Sequence, residues 1–220
     1  MLVERSMHEG YLSNAYLVAD EEGGTAVYVD SGAPLEPLLA AAERWGVTPV
    51  AVLRTHAHGD HVEHEDELGL QVVTGDFEAG GLRVEALPCP GHSDDGVSFV
   101  VNGELCFSGD TLFKDAVGGT RDHYAAVKHS VMDVLMALPH ETRVLPGHTD
   151  ETTIGREWDE NPFVRVWRGV EAEGTEPVRF GGEEATLIVW SPDYDGKGKA
   201  WIRFADGRDA IVGGSRVERL

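Results

Sequence analysis

Two short apolar runs, Asn14–Ala19 and Thr25–Asp30, flank the polar turn Glu21-Glu22-Gly23-Gly24. That pattern predicts two strands joined as a hairpin. The period then changes. In Pro34–Trp45 apolar side chains fall at 35, 38, 39 and 42, one face of a helix, with Pro34 early, where helices tolerate it. Val50–Leu53 predicts a further strand and Val62–Leu68 a short acidic helix. Strands follow near 71–74, 82–87, 97–101 and 104–108. Tyr124–Leu138, apolar at 127, 131, 134, 135 and 138, is the clearest helix, and a strand at Arg143–Leu145 comes after it. Strands alternating with helices in this way give an α/β fold.

The tail breaks that alternation. Ala185–Trp190 and Lys199–Ala205 are β-rich runs separated by Asp193–Gly198, and Asp206-Gly207 turns the chain into Arg208–Val212. This predicts a three-stranded antiparallel meander, hence a main domain over 1–174 and a small β module over 175–220. Trp190, Trp201 and Phe204 in the module are read as core or interface residues ahead of a ligand-binding face.

The chemistry concentrates where predicted strands end. Val50–Leu53 runs into Arg54-Thr55-His56-Ala57-His58-Gly59-Asp60-His61. Three imidazoles and a carboxylate in six residues are the donors that zinc and its first-row neighbours prefer. In an extended segment His56 and His58 share one side and can grip one ion, leaving Asp60 and His61 to face another. Leu82–Leu87 leads through Pro88-Cys89-Pro90-Gly91 to His92, Leu105–Phe107 through Ser108-Gly109 to Asp110, and Arg143–Leu145 through Pro146-Gly147 to His148. Ligands of open α/β sheets gather beyond the carboxyl ends of strands, so these four ends are expected to meet at one site.

The ordered set His-x-His-x-Asp-His, Gly-His-Ser, Ser-Gly-Asp, Gly-His resembles the metallo-β-lactamase fold superfamily, and within it the glyoxalase II (hydroxyacylglutathione hydrolase) and persulfide dioxygenase branch. The resemblance runs from about Ser13 to Arg168. It implies a four-layer αββα sandwich, to which the C-terminal β module is an addition. It further implies that His56, His58 and His92 hold a first metal ion, Asp60, His61 and His148 a second, and that Asp110 bridges them. The motif is specific for fold and metal site and poorly specific for substrate.

Composition changes the picture only by exclusion. With 39 acidic against 18 basic residues the net charge is −21, which repels nucleic acid and anionic membranes at long range. Residues 175–220 carry eight acidic and seven basic side chains, so the excess lies almost wholly in the first 174. The start has no basic segment followed by an apolar one, and no apolar run approaches a membrane span; the expected location is the cytoplasm. Cys89 and Cys106 are too few for a disulfide framework. Both are read as packing residues, with Cys89 the one that can line the site.

The function expected is a metal-dependent hydrolase that uses two divalent ions, zinc first with iron or manganese open, to activate water against a small thioester or related acyl substrate. Asp60 is then both ligand and catalytic residue, orienting the water or taking its proton. Lys114, Arg121 and Tyr124, in the stretch after Asp110 that loosely resembles the relatives' substrate loop, are the substrate-binding candidates, the two cations suited to a carboxylate. Glyoxalase II ends in helices that help hold glutathione; this chain does not, which argues for another thiol carrier. A mononuclear iron persulfide dioxygenase, a lactonase or other ester hydrolase, and a binding protein with a vestigial site stay open behind it. A homodimer is also left open.

Overall fold

The computed structural model covers residues 1–220. Strands β1 (Leu2–Met7), β2 (Asn14–Ala19) and β3 (Thr25–Val29) lead into helix α1 (Glu36–Trp45) and strand β4 (Thr48–Leu53). Two single helical turns, α2 (Gly59–Val62) and α3 (Glu65–Leu68), precede β5 (Gln71–Val73), and β1 to β5 form one sheet in sequence order. Next come β6 (Phe77–Ala79), β7 (Leu82–Pro88), β8 (Val97–Val101), β9 (Leu105–Gly109) and the tiny hairpin β10 (Leu112–Phe113) and β11 (Ala116–Val117). Helix α4 (Tyr124–His129), strands β12 (Arg143–Pro146) and β13 (Thr152–Thr153), and helices α5 (Ile154–Glu160) and α6 (Pro162–Trp167) follow. The second sheet has the order β13-β12-β9-β8-β7-β6.

Strand alternation explains how these layers stack. On β2, Tyr16 and Val18 enter the cluster shared with Leu82, Phe99, Leu105 and Phe107 of the second sheet, whereas Ala15, Leu17 and Ala19 enter the one shared with Leu38 and Ala41 of α1. One face of the first sheet therefore packs on the second sheet and the other on a helix. The outer face of the second sheet gives Val100, Cys106 and Val144 to a third cluster with Val127, Ile154, Phe163 and Val164 of α4 to α6. The result is the expected αββα sandwich, with Cys89 and Cys106 both buried in that third cluster.

The structure corrects several local expectations. The helix expected over Val62–Leu68 is two separate turns with His64 between them, exposed enough to bond Glu67 at 2.8 Å. That over Tyr124–Leu138 is α-helical only to His129, then passes through a π turn (Ser130–Val134) and a 3-10 turn (Leu135–Ala137). Leu138 is extended because Pro139 follows it. α5 and α6 carry their own start signals: Thr153 Oγ1 accepts from Arg156 N, and Asn161 Oδ1 accepts from Phe163 N with Pro162 at the first turn.

The C-terminal sheet has five strands, where a three-stranded meander was expected. They are β14 (Glu176–Phe180), β15 (Glu183–Ser191), β16 (Lys199–Phe204), β17 (Asp209–Gly213) and β18 (Val217–Arg219), in the order β17-β16-β15-β14-β18, all antiparallel. β14 contains Pro177 and β18 only one apolar residue, so neither run has a strand's pattern. One side of the sheet encloses a core of its own around Val178, Leu187, Ile202 and Phe204. The other gives Ile188, Val189, Trp201 and Ile211 to the cluster of α4 to α6, so it is fastened to the main body through a shared core. No helix is long and apolar enough to cross a membrane.

Candidate metal centre

The parallel pairs β3–β4 and β9–β12 set the ends of four strands side by side: Val29 opposite Leu53, and Gly109 opposite Pro146. The segments leaving these ends, together with the one leaving β7, carry the chemistry. His56 and His58 follow β4, and the first turn of α2 lifts Asp60 and His61. His92 follows β7, Asp110 follows β9 and His148 follows β12. Glycines permit the crowding. A Cβ on Gly147 would strike Asp110 Oδ1 and His61 Cε1, and one on Gly32 would strike the carbonyl of Asp60.

All seven residues converge. Donor atoms of His56, His58 and His92 lie within 4.8 Å of one another, as do those of Asp60, His61 and His148, and those of His56, His61 and Asp110. His92 Nε2 is 3.1 Å from His58 Nδ1. Asp110 Oδ2 stands 3.4 Å from His92 Nε2 and 3.5 Å from His148 Nε2, and its Oδ1 is 3.3 Å from His61 Nε2. Its carboxylate therefore touches both groups. Asp60 Oδ2 is 3.4 Å from His148 Nε2 and 3.8 Å from His61 Nε2.

The far nitrogens of four imidazoles are tied down. His61 Nδ1 bonds Asp30 Oδ2 at 2.8 Å, His92 Nδ1 bonds the carbonyl of Gly119 at 2.9 Å, and His148 Nδ1 bonds that of Leu12 at 2.9 Å. His56 Nδ1 meets Thr55 Oγ1 at 3.1 Å, and that hydroxyl donates to Asp30 Oδ2 at 2.8 Å. With Nδ1 donating, each ring turns Nε2 inward as an acceptor, the arrangement that orients histidine toward a metal. Asp30 thus governs His61 directly and His56 through Thr55. Neither was singled out from the sequence; the burial of Asp30 just past β3 and its φ of +56° are visible only in the structure.

No family model matches the chain. It is 29% identical over 197 residues to a Bacillus subtilis (strain 168) protein named "Probable metallo-hydrolase YqgX", a match spanning 69% of this chain and 92% of that one. A hydroxyacylglutathione hydrolase of Xanthomonas euvesicatoria pv. vesicatoria is 36% identical over 157 residues, 61% of this chain and 59% of its own. Among solved structures, TTHA1623 in a di-iron-bound form is 33% identical with a TM-score of 0.58, covering 72% of this chain and 98% of that one. ETHE1 from Myxococcus xanthus is 27% identical with a TM-score of 0.65, over 76% and 85%. The B3 metallo-β-lactamase BLEG-1 is 25% identical with a TM-score of 0.66, over 74% and 99%.

The chain belongs to the metallo-β-lactamase superfamily.

The superfamily's divalent metal chemistry fits these residues. Nε2 of His56 and of His61 and Oδ1 of Asp110 are buried without a hydrogen-bond partner, a costly arrangement unless something else fills the centre. Without metal, charge takes its place. Burial alone would lower the pKa of His61 and raise that of Asp110. The attraction of Asp110 and Asp30 instead pushes His61 up to about 11, and His61 with His148 holds Asp110 well below the usual carboxylate range. His148, likewise opposed by burial, rises to about 9 through its bonds to Asp110 and Asp60, and the bond from His148 lowers Asp60. Burial takes His56 down to about 4 and lowers His92. His56 and His92 are thereby biased toward their neutral, ligating form.

The remaining candidates separate. Lys114 sits at the β10–β11 turn and lines a cavity of about 420 Å³ with Met7, Leu12, Pro192 and Tyr194. Its turn is rigid: Asp115 N donates to Glu157, Asp115 Oδ1 accepts from Arg156, and Ser191 Oγ donates to the Asp115 carbonyl. Arg121 is exposed and makes no hydrogen bond or ion pair. Tyr124 points elsewhere: its ring packs 5.1 Å from Trp201 and its hydroxyl accepts from Trp167 Nε1 at 2.8 Å, so it lies partly buried against the core beneath the C-terminal sheet. Two residues that sequence reasoning missed approach from that sheet. Tyr194 stacks on His148 with centroids 4.0 Å apart and planes 10° from parallel. Lys199, paired with Asp193 at 2.9 Å, points its ammonium toward the rings of Phe113 and Tyr194.

Proposed function

We propose that the protein is a dinuclear metal-dependent hydrolase acting on a small thioester or related acyl substrate. His56, His58 and His92 hold one divalent ion, Asp60, His61 and His148 the other, and Asp110 bridges them. The observation that carries this reading is the placement of Asp110, one carboxylate in reach of both trios. Two ions bound there supply Lewis-acid polarisation of a carbonyl oxygen and water acidified to a pKa of about 7. The protein's own part is to hold that geometry and to move a proton. Asp60, half-buried and kept ionised by His148, is the carboxylate placed to orient a water and accept from it. Lys114, lining the cavity, and the exposed Arg121 are the cations available to a substrate carboxylate.

The nitrogen and oxygen donor set suits zinc, which we take as the native metal; iron is kept in view by the di-iron-bound structure among its likenesses. The thioester preference is supported by the likeness to hydroxyacylglutathione hydrolase, and since that match covers 59% of the relative, the thiol carrier is left open. A second reading, a mononuclear iron persulfide dioxygenase, draws support from the likeness to ETHE1.

A substrate panel decides: S-lactoylglutathione, acyl-coenzyme A esters, lactones, a chromogenic cephalosporin, bis-nitrophenyl phosphate, and glutathione persulfide with oxygen uptake. The account expects the highest kcat/KM on a thioester, that ratio being the measure of differential transition-state binding. Oxygen consumption with persulfide and no ester hydrolysis would move the protein to the dioxygenase. A dominant lactone or phosphodiester activity would keep the hydrolase and discard the thioester.

A further inference from the structure

The C-terminal sheet touches the metal centre twice, once on each side. On the His148 side, the Pro192–Gly198 connection between β15 and β16 lays the Tyr194 ring flat against the imidazole, 4.0 Å away. The opposite edge of His148 is held by the Leu12 carbonyl, and Phe113 meets the ring edge-on at 5.9 Å. Tyr194 therefore covers the face of a ring whose edges are held by the Leu12 carbonyl and by the carboxylates of Asp60 and Asp110. Tyr194 is itself anchored: its backbone N donates to Asp193 Oδ1, and Asp193 Oδ2 is paired with the buried Lys199. On the His92 side, the acceptor for Nδ1 is the Gly119 carbonyl. The neighbouring Thr120 forms an isolated antiparallel bridge with Ile211 of β17, both hydrogen bonds 2.8 Å long. The loop that aims His92 is thus stitched to the C-terminal sheet.

We propose that the C-terminal sheet is a structural arm of the metal centre, with Tyr194 the positioning residue that fixes His148 and so sets the affinity of the Asp60–His61–His148 subsite. The proposal rests on the two-ion reading above. It assigns the sheet a task within the centre, beyond packing or a pocket rim. Groups that orient a ligating histidine typically change metal affinity 10- to 100-fold when removed, and Tyr194 belongs to that class by stacking where the others act by hydrogen bonds.

The test is a competitive metal titration of full-length protein with Zn²⁺ and Co²⁺, with no substrate present, for wild type, Tyr194→Phe and Tyr194→Ala. Tyr194→Ala is expected to weaken the second equivalent 10- to 100-fold, leave the first unchanged, and alter the Co²⁺ d–d absorption of the second only. Tyr194→Phe keeps the stacked ring and is expected to retain wild-type affinity and spectrum. A merely structural tyrosine would lower the thermal midpoint and leave both affinities in place, which would overturn the proposal. Equal weakening of both equivalents, or failure of Tyr194→Phe to rescue, would overturn it as well. Wild-type protein that accepts only one equivalent would instead sink the two-ion reading, and this proposal with it. That result shows before any variant is compared.

Discussion

Asp30 shows how one side chain can govern a centre it does not enter. Its two oxygens accept from Thr55 N, Thr55 Oγ1 and His61 Nδ1, so it aims a histidine on each side of Asp110. Asp30→Ala is therefore expected to lower the affinity for both ions by about 10- to 100-fold each. Tyr194→Ala, by contrast, should touch one. Parallel metal titrations of the two variants check the contrast, and an Asp30→Ala protein with wild-type affinity at both sites would show that the hydrogen-bonded frame is ornamental. At this scale the sequence was highly legible for the seven convergent residues, because donor type and position after a strand are local properties. It was poorly legible for Asp30, Thr55 and Tyr194. Their roles arise from partners 25, 31 and 46 residues away for the pairs with Thr55, His61 and His148. Tyr124, selected for its place in the stretch after Asp110, faces Trp167 and Trp201, a direction that only packing sets.

Among elements, those with a clean period were readable. The apolar run Asn14–Ala19 is buried on both faces, and the helical spacing of Pro34–Trp45 seats Leu38, Ala41 and Ala42 on the core while Leu39 stays exposed. Elements whose stability comes from specific contacts were not. α5 and α6 are two short helices bound by one buried carboxylate: Glu157 accepts from Thr152 Oγ1 at 2.6 Å, Arg156 Nη1 at 2.6 Å, Asn161 Nδ2 at 2.9 Å and Asp115 N at 2.8 Å. Glu157 is fully buried, so its removal leaves several donors unpaired at once. Glu157→Ala is predicted to cost about 3 kcal/mol or more, on the scale of breaking a buried ion pair. Denaturant unfolding measures this directly, and a loss below about 1 kcal/mol would mean that the network is not a major tie. The same substitution frees the Lys114-Asp115 turn, so KM for an anionic acyl substrate is the second readout.

The whole molecule joins an αββα sandwich to a five-stranded sheet through one continuous apolar cluster. The sequence signalled the addition by its change of pattern near residue 175, and its near-neutral charge set it apart from the acidic body. It gave no sign of β14, β18 or the bridge at Thr120, because long-range pairing leaves little trace in local composition. The body supplies every side chain assigned to the ions, and the sheet braces the histidines from outside. All of this depends on a centre that accommodates two ions around Asp110. Elemental analysis of full-length protein purified without chelator, then equilibrated in metal-replete buffer, measures that claim most directly. The account predicts close to two divalent ions per chain, falling toward one in His61→Ala or His148→Ala. A single ion per wild-type chain, persisting under those conditions, would contradict it.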